Sequence, residues 1–190
     1  TLDESSLATY TPYEGARLTP AGRALALRVL RRHRLIEEFL VRSLDLSWDE
    51  VHEEAERLEH ALSPVLEERM RIAIGDADTC PHGHPIEPGK RIAGVPLADV
   101  DEGATVEILR FENEAEDLLH YLRASGAEPG ISGTVKVTDG ENVVITAEGQ
   151  EITLTTSVAE TVSVTADPSP PARTAVPAEQ IVFGENRYGR

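Results

Sequence analysis

The sequence predicts an α+β chain: a helical unit followed by a small β-barrel domain. Three observations carry this expectation. As far as about residue 76, apolar residues recur at three- and four-residue steps. The stretch 76–96, DADTCPHGHPIEPGKRIAGVP, is dense in Gly and Pro and has no helical period. Beyond it come short runs rich in β-branched residues, bounded by Gly, Asp and Asn.

The elements follow in order. Residues 7–18, LATYTPYEGARL, read as two short strands around a Pro-Tyr-Glu-Gly turn. Thr19 as N-cap and Pro20 at the first helical position open a long helix over about 20–43, with Leu27, Leu30, Ile36, Phe39 and Leu40 in its apolar pattern. The stretch 47–63, SWDEVHEEAERLEHALS, makes a second helix. Ser47 and Glu50 form a capping box, so this helix is expected to begin near Trp48. Ser63, Pro64 and Gly75 bracket a third. Together they form a helical unit, 19–76, joined by a linker, 77–96, to a barrel over 97–165. The runs VEILRF, GTVKVT, NVVITA and EITLTT are its strands, with a helix near 115–125 between the first two. Residues 166–190, rich in Pro and Ala, read as a flexible tail.

Composition narrows the function. With 34 acids against 18 bases and a net charge of −16, general nucleic-acid binding by this chain is disfavoured, because phosphate contacts need clustered Lys and Arg. No apolar run is long enough to span a bilayer. A single cysteine, Cys80, excludes an internal disulfide framework and fits a reducing, cytoplasmic setting. The chain opens TLDESSL without a methionine, which reads as a product lacking upstream residues.

The chemistry concentrates on two helices. On the second, Trp48, Val51, Ala55, Leu58 and Leu62 make the buried stripe. His52, Glu56, Glu59 and His60 then occupy an adjoining arc of roughly 100° at the edge of the core. Side chains three and four apart have Cβ atoms about 5–6 Å apart, close enough for one cation to bridge. The first helix offers His33 and Glu37 at i, i+4. Two packed helices that each present His and Glu can build a metal site. The competing reading is an acidic, solvated helix face with partly buried histidines. CPHGHP, residues 80–85, lacks the second cysteine of a structural zinc site and reads as a turn. His120 reads as a surface residue.

Laid out in order, RLTPAGRALA, RRHRLIEEFL, VHEEAERLEHALS and CPHGHPIEP resemble the diphtheria toxin repressor family of iron- and manganese-dependent regulators. PLADVDEGATVEILRF and ASGAEPGISGTVKV extend the resemblance into that family's SH3-like barrel. The resemblance implies a winged-helix remnant over 1–18, with the end of a recognition helix and a wing carrying Arg17 as a DNA contact. A helical dimerisation and metal-binding domain and the barrel follow. With the reading helices upstream, this chain is expected to bind operator DNA poorly by itself. The resemblance also implies two ligand sets. Glu56, Glu59 and His60 match the activating site, which N-terminal residues complete. His33, Glu37 and His52 match a second site with barrel ligands at i, i+3 spacing, here Glu114 and Asp117. Glu56 stands where iron-type members carry cysteine, which favours Mn²⁺ over Fe²⁺. The implied function is a metal-activated, homodimeric repressor of metal-uptake genes, not an enzyme. Its rivals are a carboxylate-bridged dimetal enzyme and a metal-buffering or interaction module.

Overall fold

The computed structural model describes residues 6–13, 15–89, 93–138 and 140–167. Strands β1 (Ala8–Thr11) and β2 (Gly15–Leu18) pair antiparallel, with Thr11 opposite Gly15. Helix α1 (Pro20–Leu44) begins where the Thr19–Pro20 signal puts it. Thr19 Oγ1 accepts the Gly22 N–H at 3.1 Å and donates to the Ser6 carbonyl at 2.8 Å, tying hairpin to helix. Gly22 is needed at that crossing, because a Cβ would stand 1.8 Å from the Leu7 carbonyl oxygen. The helix stops at Asp45, whose left-handed φ of 57° lets its N–H return to the Leu40 and Val41 carbonyls.

Helix α2 (Val51–Glu59) starts later than the capping-box pattern predicts. The Ser47 hydroxyl donates to the Asp49 carboxylate rather than capping the helix, and residues 47–50 make a turn closed by Glu50 N–H to Ser47 carbonyl at 3.0 Å. Two corrections to the apolar stripe follow. Trp48 lies outside the helix and packs on the barrel core, and Leu58 is 39% exposed. Val51, Ala55 and Leu62 are buried as expected. Helix α3 (Pro64–Ile74) keeps its predicted cap, Ser63 Oγ accepting the Leu66 N–H. Leu35, Ile36, Leu40, Val51 and Met70 form the core between α1, α2 and α3. Arg31 and Arg32 of α1 both reach Glu67 of α3, at 2.6 and 2.8 Å.

The second unit is a six-stranded antiparallel sheet. It comprises β3 (Val95–Pro96), β4 (Thr105–Phe111), β5 (Ser132–Thr138), β6 (Asn142–Ala147), β7 (Gln150–Thr155) and β8 (Val162–Asp167), in the order β3-β8-β4-β5-β6-β7. Helix α4 (Glu116–Ala124) links β4 to β5, and α5 (Thr156–Ala159) links β7 to β8. The four predicted runs are β4 to β7. Burial alternates along β6, and Glu148 and Gly149 turn it into β7 with both φ positive, as a type I′ turn requires. Strands β3 and β8 are additions. β8 lies inside the sheet, buried at Val162, Ser163 and Val164, and it claims residues 166 and 167 from the expected tail. Residues 1–5, where the recognition-helix end was expected, and 168–190, the rest of the tail, lie outside the described residues. No helix among the described residues is long and apolar enough to cross a membrane.

Candidate metal centre

His33 and Glu37 stand one turn apart on α1, His52 lies in the first turn of α2, and Glu114 lies between β4 and α4. Folding brings ligand-capable atoms of all four within 4.8 Å of one another. Glu37 is fully buried. Its Oε1 lies 2.9 Å from His33 Nε2, 3.2 Å from His52 Nδ1 and 3.1 Å from His82 Nδ1. Glu114 Oε2 lies 3.5 Å from His52 Nδ1.

The electrostatics follow from this crowding. Burial by itself lowers the His33 pKa, but Glu37 on one ring nitrogen and Glu59 on the other, each at 2.9 Å, push it up to about 9. His33 is therefore an imidazolium donating to two carboxylates. Burial opposes ionisation of Glu37, and hydrogen bonding to His33 and His52 overrides it, holding the carboxyl well below its usual range. Glu37 Oε2 remains buried without a hydrogen-bond partner among the described residues. So does His82 Nδ1, which is near Glu37 Oε1 but out of line for a bond. Each such orphan costs about 1–3 kcal/mol. The donor set fits a divalent cation, which takes carboxylate oxygens and imidazole nitrogens and releases protons on binding.

The sequence reading missed part of this site. CPHGHP is a turn, with Thr79 and Pro85 bridged and the Gly83 N–H on the Cys80 carbonyl at 2.9 Å. It is not a bare turn, because Cys80 and His82 are buried and form a second ligand-capable group with Glu37. His82 donates from Nε2 to the Trp48 carbonyl at 2.8 Å, which leaves its other nitrogen, Nδ1, free of hydrogen bonds and 3.1 Å from Glu37 Oε1. Burial, and then the negative field of Glu37 and Glu114, pushes the Cys80 thiol well above its ordinary range. His84 donates from Nε2 to the Phe111 carbonyl at 2.7 Å and lies 3.3 Å from Glu114 Oε1. The available signal was three ligand-type side chains within six residues.

The other predicted ligands are not gathered. Glu56 and His60 have side chains 64% and 74% exposed at the open end of α2. Glu59 divides its oxygens between His33 and His60, the latter at 3.2 Å. Asp117 is exposed on the first turn of α4, so of the i, i+3 pair only Glu114 joins the cluster. Arg17 is exposed on β2. His120, expected at the surface, is partly exposed and pairs with Asp49 at 2.7 Å.

Two family models match this arrangement. Residues 19–88 match the iron dependent repressor, metal binding and dimerisation domain, and residues 95–166 match the FeoA domain. The iron-dependent repressor IdeR of Mycobacterium tuberculosis is 36% identical over 164 residues, covering 77% of this chain and 71% of that protein. A manganese-dependent transcriptional repressor solved in complex with manganese superposes with a TM-score of 0.76 at 32% identity, covering 87% of this chain and 80% of the other. The repressor ScaR with bound Zn²⁺ gives 0.69 at 31% identity, covering 86% and 84%. These relatives are metal-dependent regulators, so the dimetal-enzyme reading is set aside. The sequence, the helical metal-binding unit and the barrel agree that this chain belongs to the iron-dependent repressor family, together with the diphtheria toxin repressors.

Proposed function

We propose that this chain senses Mn²⁺ in the cytoplasm, through two ligand sets, and acts as a homodimeric repressor of metal-uptake genes. The observation that carries the reading is the convergence of His33, Glu37, His52 and Glu114, with the second oxygen of the buried Glu37 carboxylate, Oε2, left without a donor among the described residues. In that reading the cluster holds one ion between the helical domain, 19–76, and the barrel, 97–165, across the linker 77–96. Asp117 has no part in it. Glu56, Glu59 and His60 form the activating set, completed by N-terminal residues, and Arg17 on the wing contacts operator DNA. A bound ion supplies charge that joins carboxylates which otherwise repel. Ordering the domains in advance lowers what DNA binding must still organise.

Fe²⁺ is the alternative, and Cys80 favours it specifically. A sulfur donor beside Glu37 and His82 departs from an all-oxygen-and-imidazole set and suits softer ions better than Mn²⁺. Calorimetric titration with Mn²⁺, and anaerobically with Fe²⁺, tests both readings. The His33→Ala/Glu37→Gln double variant is expected to lose one metal equivalent per chain, and unchanged stoichiometry would sink the cluster assignment. Cys80→Ser should weaken Fe²⁺ more than Mn²⁺ if the alternative holds.

A further inference from the structure

The barrel meets the helical unit at a second place, away from the ligand cluster. Residues Ser47, Trp48 and Asp49, the turn that displaces the expected start of α2, face the exposed side of α4 and the segment after it. Asp49 is only 5% exposed. Its carboxylate accepts from Ser47 Oγ, from Arg123 Nη1 at 2.6 Å and from His120 Nδ1 at 2.7 Å. His120 and Arg123 are three residues apart and so share one face of α4. Arg123 also reaches the Ser47 hydroxyl. Beside them Trp48 donates from Nε1 to Glu128 at 3.1 Å and sets its ring 5.6 Å from that of Phe111.

Both ends of this contact lead to the ligand cluster. Asp49 precedes His52 by three residues, in the turn that leads into α2. On the other side, Glu114 stands two residues before α4, the helix whose His120 and Arg123 clasp Asp49. Glu114 and the latch residues are thus carried by one short segment, 114–123, and Asp49 and His52 by another, 49–52, so the latch bears on how closely Glu114 approaches His52. Three neutral or singly charged contacts to one buried carboxylate also define orientation, because charge-assisted bonds to a planar group are directional. Because Arg123 and His120 are half-exposed, solvent screens the attraction and little net stability comes from the pair.

We propose that Asp49, with His120 and Arg123, is an interdomain latch that positions Glu114 as a ligand and holds the barrel docked before metal arrives. The latch rests on the metal reading for its purpose but not for its existence. Asp49, His120 and Arg123 are positioning residues that touch no ion.

Trp48 is the chain's one tryptophan and lies in the docked surface, so its fluorescence reports docking without metal. In the metal-free chain, Asp49→Asn and Arg123→Ala should move Trp48 emission to longer wavelength, while Arg123→Lys, which keeps the cation, should not. Calorimetry with Mn²⁺ should show about a tenfold loss of affinity at the cluster in Asp49→Asn, the effect expected of a group that orients a ligand. Glu114→Gln should lose as much, and the Asp49→Asn/Glu114→Gln double variant no more than either alone. Should Asp49→Asn not fold, Arg123→Ala, on a half-exposed side chain, makes the same comparison. Unchanged Trp48 emission in both latch variants, or losses that add in the double variant, overturns the proposal. If the wild-type chain takes up no Mn²⁺, the metal reading fails, while the emission of the variants still decides the latch.

Discussion

The two ends of α2 carry similar residues and meet different fates. At its start, His52 is drawn into a cluster with Glu114 and the buried His33 and Glu37. At its end, Glu56 and His60 are largely exposed and stay apart from that cluster, although their spacing is just as suited to a cation. The difference lies in what packs against each end. The first turn lies beneath α1, the 80–85 turn and the loop after β4. Beyond it, Glu56 and Glu59 border an open apolar groove lined by Leu7, Leu18, Leu25 and Val29, which reaches His33, His52 and Glu114 at its other edge. Ligand spacing on a helix is thus a condition for a metal site, and opposing elements supply the rest.

The sharpest way to break the comparison is at Glu37. Glu37→Ala removes one of the two carboxylates on His33 and the one nearest His82, and should cost about 3–5 kcal/mol in urea unfolding of the metal-free chain. A loss below 1 kcal/mol would show the cluster to be looser than its burial implies. Next comes Gly83, at φ 87°, where an added Cβ would stand 1.9 Å from the Leu109 carbonyl oxygen. Gly83→Ala should lower stability by about 1–3 kcal/mol through backbone strain and should loosen the 80–85 turn from β4. A thermal melt with an unchanged midpoint would contradict that.

At the open end the expectation reverses. Glu56→Ala and His60→Ala should change unfolding free energy by no more than about 0.5 kcal/mol, as exposed positions do. In the full-length protein they should nonetheless abolish operator binding stimulated by Mn²⁺. Mobility-shift measurements that show both variants responding normally would remove them from the activating set. The smallest effect concerns acid. Burial favours the protonated Asp49 carboxyl, but Ser47, His120 and Arg123 hold its pKa down to about 2. A depressed carboxylate contributes stability above its ordinary value of 3.8 and loses it as pH falls through about 2. Trp48 emission followed from pH 5 to 2 should therefore shift over that window in the wild type, and the shift should be absent from Asp49→Asn.

Much of the fold was legible because its signals are local. Thr19–Pro20 and Ser63–Pro64 satisfy helix N-termini with their own atoms, so neither cap depends on distant partners. Runs such as NVVITA carry alternation that one buried face requires. The failures lie where a distant partner competes. Ser47 has the residue type and spacing of a cap, but Asp49, engaged by α4 across the interface, takes its hydroxyl. Cys80 and His82 look like loop residues until Glu37 is brought against them. Of the Glu114 and Asp117 pair, spacing could not choose, because the choice depends on where the loop after β4 meets α1 and α2.

Capping residues, periodicity and ligand types at helical spacing determined most of the elements, their order and the family, but not β3, β8 or the start of α2. Those properties are written within a few residues of chain. Only the tertiary structure decided which ligands converge, since that depends on how the barrel docks on the helical unit. A dock built from Trp48, Asp49, His120 and Arg123 joins residues more than seventy positions apart, and no local pattern encodes such a distance.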